Sequence, residues 1–156
     1  MDDMIAKSTS IVRGTVTASW SAFTGPIIYT HYKIQVGEQF KGTASNTVEI
    51  MIPGGTVGNL HQAASGSPLL NRGDDSIFFL WTSNSGITWI MGLSQGLFAL
   101  PAGSPAANAT ATRQASRELM LDPVTGRPVK DNALSMMLSD LRSRVAASLA
   151  AQGGVK

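Results

Sequence analysis

Two long segments of alternating apolar and polar residues, separated by a short turn, constrain the fold of this chain most. In residues 10–20 the apolar positions share one parity with Gly14, and they are Val12, Val16, Ala18 and Trp20. In residues 27–41 the positions expected to face inward are Ile28, Tyr32, Ile34 and Val36. A side-chain period of two residues is that of a strand with one buried face. We therefore predict two long neighbouring strands, joined by a turn at Thr24-Gly25-Pro26.

Four shorter segments continue the β pattern, at residues 46–52, 76–82, 87–94 and 96–100. Residues 76–82 are apolar at both parities, which is typical of a strand covered on both faces. Gly37 interrupts the alternation of the second long strand and indicates a bulge, as a strand that bends around a barrel needs. The chain is therefore predicted to be all-β, with a barrel of five to six strands.

The C-terminal part of the sequence does not continue this β pattern. Residues 101–130 are predicted to be a loop-rich insertion, and residues 132–152 an α-helix capped by Asp131 or Asn132. Its apolar residues follow at spacings of three and four, and they are Leu134, Met137, Leu138, Leu141, Val145 and Leu149. We expect this helix to pack on strand 76–82, a short helix at residues 2–8, and a single domain over residues 1–156.

Composition excludes several classes of site. The chain of 156 residues has no cysteine, which rules out a disulfide scaffold, a Cys-ligated metal and a cysteine nucleophile. Its net charge is only +2, and its 12 Lys and Arg residues are not clustered, which argues against a nucleic-acid partner. No apolar run is long enough to predict a transmembrane segment. Met1-Asp2-Asp3 is acidic where a signal peptide is basic, so any export signal is expected to precede this chain.

The order of several short motifs resembles a family of exported bacterial domains whose role is uncharacterised. The motifs are Ile11-Val12-Arg13-Gly14 with Val16, Ile28-Tyr29-Thr30, Val36 with Glu38 and Lys41-Gly42, Pro53-Gly54-Gly55 with Gly58, and Gly92-Leu93-Ser94-Gln95-Gly96. The resemblance covers roughly residues 3–100 and implies export to the periplasm or outside the cell. It also implies a barrel similar to the OB-like barrel of netrin-type modules. The apolar stripe of the C-terminal helix is what predicts its packing on that barrel.

The first candidate binding element is the long connection at residues 53–75. It contains Gly54, Gly55 and Gly58, followed by Asn59 and His61. A phosphate-binding loop would require Gly-Lys-Ser/Thr and a helix after the glycines, and the chain has neither there. Val57, Leu60, Leu69 and Leu70 are expected to anchor the connection on the barrel. The connection is then either a binding site at the barrel rim, holding Asn59 and His61, or a plug for the open end.

The second candidate is the outward face of the second long strand. Tyr29, His31 and Lys33 share that face, and OB-folds hold single strands on such aromatic and basic faces. An ordinary solvated face is the alternative.

No catalytic signature accompanies the two histidines. No Gly-x-Ser-x-Gly elbow is present, and the spacing of His31 and His61 from Asp74-Asp75 matches no metal site, so we predict no catalytic residues, metal or cofactor. The leading hypothesis is a non-enzymatic module that binds another exported protein or a small ligand. Two alternatives stay open: a structural or self-assembling extracellular protein, and an OB-type binder of single-stranded nucleic acid. The sequence leaves the oligomeric state open.

Overall fold

The computed structural model describes residues 1–103, 105, 109–116, 119–122 and 124–153. The helices of this part are α1 (Asp2–Lys7) and α2 (Leu138–Gly153). The strands are β1 (Ser10–Thr24), β2 (Ile27–Lys41), β3 (Thr47–Pro53), β4 (Gly55–Val57), β5 (Leu60–Gln62), β6 (Asp75–Thr82), β7 (Thr88–Ile90), β8 (Leu97–Ala99), β9 (Thr110–Arg113), β10 (Met120–Leu121), β11 (Pro128–Val129) and β12 (Leu134–Met137). A 3₁₀ turn at Leu93–Gly96 lies between β7 and β8.

One antiparallel sheet dominates the molecule, with strand order β12-β9-β8-β6-β1-β2-β3 and β7 paired to β6. β4–β5 and β10–β11 form two separate hairpins. β3 lies against β7, so the sheet curls, but in the described chain no hydrogen-bonded ladder joins these two strands. The prediction of a mostly β fold with a C-terminal helix is confirmed, and the sheet is open.

The curled sheet has a core on each face. The inner core lies on its concave side and consists of Val12, Val16, Tyr32, Ile34, Ile50, Ile52, Leu70, Phe78, Leu80 and Ile90. The outer core lies under the two helices and consists of Ile5, Ile11, Ile77, Phe79, Phe98, Leu100, Ala109, Ala111, Leu138, Leu141 and Val145. β6 supplies alternate residues to both cores, which confirms that residues 76–80 are covered on both faces and that α2 packs there, whereas Trp81 at the end of the strand is exposed.

The β1–β2 pair contains the bulge predicted at Gly37. Arg13 lies opposite Glu38 and Gly14 opposite Val36, so Gly37 is the extra residue in β2. Beside it, Gly14 allows a close approach of the two strands, because a Cβ there would overlap the Ile34 side chain and the Gln35 carbonyl. These glycines let β2 bend while the ladder continues on either side.

The C-terminal helix begins later than its amphipathic pattern predicts. Residues 134–137 form β12 and pair with β9, so the predicted helix at 132–152 is wrong before Leu138. Asp131 caps no helix; its carboxylate instead accepts hydrogen bonds from Arg113 and from the Ser116 amide. A ladder with β9 outweighs the local helical periodicity of this short segment. Neither helix of the described chain combines the length and apolar character that crossing a bilayer requires.

Two other predicted segments need correction. The predicted strand 87–94 ends at Ile90, because Gly92 and Leu93 adopt positive φ and begin the 3₁₀ turn. The predicted loop at 101–130 contains β9, β10 and β11, and Ala109 and Ala111 belong to the outer core. Its residues 104, 106–108, 117, 118 and 123 lie outside the described part of the chain.

Candidate binding face

A second bulge, in β1, turns Trp20 away from the inner core. Val16 lies opposite Ile34, but Ala18 lies opposite Lys33, so Thr17 is an extra residue. One extra residue reverses which side chains point to each face of a strand. The prediction that Ala18 and Trp20 share the face of Val16 is therefore wrong: both lie on the outer face, where Trp20 is 44% exposed.

Trp20 packs on His31, its cross-strand neighbour. The two rings are stacked, with centroids 5.3 Å apart and planes 11° from parallel. His31 Nδ1 lies 2.8 Å from Oε1 of Glu49 on β3, and because an ionised carboxylate only accepts, Nδ1 is the donor. The imidazole is thus held between an indole ring and a carboxylate on the three adjoining strands.

Two further tryptophans extend this contact. Tyr29 shares the outer face of β2 with His31, and its ring meets Trp89 edge-to-face at 5.4 Å. Trp89 lies directly opposite Trp81 in the β6–β7 ladder, and cross-strand partners present their side chains on the same face. We call this set of neighbouring side chains, Trp20, His31, Tyr29, Trp89 and Trp81, the aromatic row. It contains all three tryptophans of the chain.

The helical layer that covers the outer face stops short of the aromatic row. Phe79 is completely buried in the outer core, whereas Trp81, two residues further on the same face, is 45% exposed. A tryptophan left exposed to this extent keeps roughly 100 Å² of surface in water, which corresponds to about 2–3 kcal/mol of unrealised burial. Trp20 and Trp81, at the two ends of the aromatic row, are therefore apolar surface that the described chain does not cover, whereas Tyr29, His31 and Trp89 between them are half-buried.

Charges beside the aromatic row balance. Lys33 and Glu49 are opposite each other in the β2–β3 ladder, next to His31. The Lys33 side chain is exposed, and that of Glu49 is 53% exposed. The face thus combines flat rings with one cation and one anion, and it is close to neutral. It places the predicted residues Tyr29, His31 and Lys33 together.

The other predicted site residues belong to the β4–β5 hairpin, which closes one end of the inner face. Gly54 N donates to the Ile28 carbonyl at 2.8 Å, and the Thr30 hydroxyl donates to the Gly54 carbonyl at 2.8 Å. A Cβ on Gly55, whose φ is +141°, would lie 2.5 Å from the hydroxyl oxygens of Ser21 and Thr30. Both positions combine a positive φ with close neighbours, which are the Gln62 carbonyl at Gly54 and the two hydroxyls at Gly55.

The tip of the hairpin is exposed. Gly58 and Asn59 form its turn, and Gly58 has a φ of +58° with open space around it. His61 contacts Thr56 across the hairpin, with 2.9 Å between Nδ1 and Oγ1, whereas His31 contacts Glu49. The two histidines therefore have separate partners.

Only part of the predicted anchoring of this connection is correct. Leu70 is 6% exposed and enters the inner core, but Leu60 and Leu69 are 62% and 81% exposed. Gln62 supplies an anchor that hydrophobicity did not indicate, because its Oε1 accepts from the Ile28 amide at 2.9 Å. Gly54, Gly55 and Gln62 thus fix the base of the hairpin against β1 and β2, while Asn59 and His61 are exposed towards its tip.

A surface cavity of about 390 Å³ lies apart from the aromatic row. Its lining includes Ser67, Ser94, Leu97, Thr112 and Gln114, and no lining residue is ionisable. Within the described chain no three His, Asp or Glu side chains converge as metal ligands would. The cavity offers hydroxyl and amide groups but no acid or base.

Sequence reasoning missed Trp81 and Trp89. Their signal was present, since both tryptophans are four residues from Ser85 in the Asn84-Ser85-Gly86 turn and should pair across a hairpin. That the pair adjoins Tyr29 follows only from the curl of the sheet. Comparison of the chain with protein-family models, with curated proteins and with solved structures gave no significant match.

Proposed function

We propose that this protein is an exported, non-enzymatic binding module and that the aromatic row is its binding surface. The observation that carries the proposal is the gathering of all three tryptophans, with Tyr29 and His31, on one face where Trp20 and Trp81 are exposed. Exposed aromatic side chains supply large contact area at low entropic cost, and they dominate binding surfaces for that reason. Export, and the likeness of the curled sheet to an OB-like barrel, rest on the family resemblance.

The environment of the histidines supports binding over catalysis. A general base has to face a substrate with a free ring nitrogen and a nucleophile beside it. The His31 ring lies against Trp20 and bonds Glu49, and its side chain is 15% exposed. His61 is exposed on a hairpin and bonds Thr56. We therefore assign His31 to the positioning of Trp20.

Partner capture tests this proposal. Immobilised protein is incubated with cell-envelope and culture-medium fractions of the native host, and retained proteins and glycans are identified by mass spectrometry and by sugar analysis. We expect one retained molecule that is lost with the Trp20→Ala/Trp81→Ala double variant. Phe23→Ala is the matched control, because Phe23 is 48% exposed on the opposite face of the same hairpin. The proposal is contradicted if the double variant retains the same molecules as the wild type, or if the wild type retains none.

Self-assembly is the second candidate, and exposed apolar side chains outside the aromatic row favour it. Those between residues 119 and 137 are Leu119, Leu121, Val124, Val129, Leu134 and Met137. Exposed apolar side chains of this kind on a monomer can be covered by a second copy. Light scattering of the isolated protein over a range of concentrations separates this role from partner binding.

A further inference from the structure

We propose that the aromatic row binds a neutral glycan; this rests on the binding function proposed above and names the ligand class. A pyranose ring has an apolar face of C–H groups and a rim of hydroxyls. Its apolar face packs on an aromatic ring, while its hydroxyls donate to carboxylates and accept from amines. The aromatic row and its neighbours Lys33 and Glu49 provide both kinds of group.

The shape of the surface favours a ligand with flat apolar faces. The aromatic row lies on the convex side of the curled sheet, and cavities of about 250–450 Å³ elsewhere on the molecule have other linings. Peptide recognition relies on grooves or on pockets for alternate side chains. The ring contacts of 5.3 and 5.4 Å, together with strand spacing, give a path of roughly 20 Å. That length accommodates several consecutive sugar rings.

Charge separates a glycan from a nucleic acid, whose bases also have flat faces. Binding of a phosphate backbone draws on several Lys and Arg contacts. Beside the aromatic row Lys33 is balanced by Glu49. Many of the other cations are committed to ion pairs, namely Lys7, Arg13, Arg113, Arg142 and Arg144. Binding of a neutral polymer does not require Lys and Arg contacts of this kind.

Glu49 supplies the polar recognition. Its side chain is 53% exposed, and within the described chain its contact with His31 uses Oε1 alone. Oε2 can then accept from a sugar hydroxyl beside the stacked rings. His31 thereby sets the orientation of both the carboxylate and Trp20.

Affinity electrophoresis in native gels tests the glycan. The gels contain hydroxyethyl cellulose, laminarin, dextran or galactomannan as neutral probes, and heparin as the polyanionic probe. We expect at least one neutral probe to retard the wild type and heparin to have no effect. Trp20→Ala and Trp81→Ala should each weaken that retardation roughly tenfold. Glu49→Gln should weaken it, and Phe23→Ala should leave it unchanged.

Folding of each variant is checked by circular dichroism. Should Trp20→Ala unfold, Trp20→Phe keeps a stacking ring, and we expect it to retain most of the affinity. Absence of retardation by every neutral probe, or retardation by heparin alone, overturns the glycan assignment. Partner capture decides the binding function separately: a protein retained through the aromatic row leaves that function standing and refutes the glycan.

Discussion

Arg113 holds the connection before β12 in position through its side-chain hydrogen bonds. Its side chain is 7% exposed and donates to Asp131 Oδ1 at 2.7 Å and to the Asn132 carbonyl at 2.9 Å. Burial by itself raises the pKa of Asp131, but hydrogen bonds from the Ser116 amide and from Arg113 outweigh it and hold that pKa below its ordinary value. The pair fixes the connection that leads into β12.

Asp131→Asn is expected to lower the free energy of unfolding at neutral pH by about 3 kcal/mol, because it leaves the buried Arg113 charge unpaired. The folded-state pKa of Asp131 lies below its unfolded value, so its contribution is present above about pH 4 and is lost as the pH falls through the lowered pKa. The difference between wild type and variant should therefore narrow as the pH falls below about 4.

Urea unfolding at a series of pH values measures this difference. Asp3→Asn is the control, because Asp3 is 77% exposed and pairs with Lys7 on the surface, where ion pairs contribute little. A difference that stays constant from neutral to acid pH would show that Asp131 does not act through its charge.

Among the elements, α2 is tied to the sheet at several points. Leu138, Leu141 and Val145 enter the outer core, and Arg142 bonds both carboxylate oxygens of Glu38 on β2, at 2.6 and 2.8 Å. Arg144 reaches Asp2 on α1 in the same way, at 2.6 and 3.1 Å. The helix is therefore an integral layer over the outer face.

Leu141→Ala should lower the free energy of unfolding by about 2–5 kcal/mol, because the Leu141 side chain is 1% exposed and its removal leaves a cavity. Ala147→Ser, on the exposed side of α2, is the control and should cost about 0.5 kcal/mol through helix propensity. Thermal and urea unfolding measure both variants. An unchanged melting temperature for Leu141→Ala would mean that α2 does not dock.

Across the whole molecule, ion pairs neutralise much of the basic charge. Four of the pairs join elements that are distant in sequence or hold the last connection, and they are Arg13–Asp75, Arg113–Asp131, Arg142–Glu38 and Arg144–Asp2. Paired guanidinium groups stabilise the tertiary structure and contribute little to an electrostatic field. The high isoelectric point, about 9.2, therefore does not indicate a basic binding surface.

Single-stranded DNA should accordingly bind no tighter than about 1 μM at physiological salt. Fluorescence anisotropy with a labelled oligothymidine measures this affinity. Submicromolar binding that is lost in Lys33→Ala and kept in Lys130→Ala would restore the nucleic-acid hypothesis, since both lysines are exposed and only Lys33 adjoins the aromatic row.

Features that arise from local alternation could be predicted from the sequence. The span of β2, the bulge at Gly37, the two covered faces of β6 at residues 76–80 and the shared face of Tyr29, His31 and Lys33 all follow from residue types at a period of two. This period is a property of the strand itself, so it needs no knowledge of distant partners.

Features that depend on a partner segment were decided only by the tertiary structure. Pairing with β2 places the bulge at Thr17 and so directs Trp20 outward, and pairing with β9 makes a strand of residues that carry a helical pattern. The curl of the sheet brings Trp89 to Tyr29. The bulge, the ladder and the curl are each stabilised by contacts between segments far apart in sequence. Such contacts cannot be predicted from local periodicity.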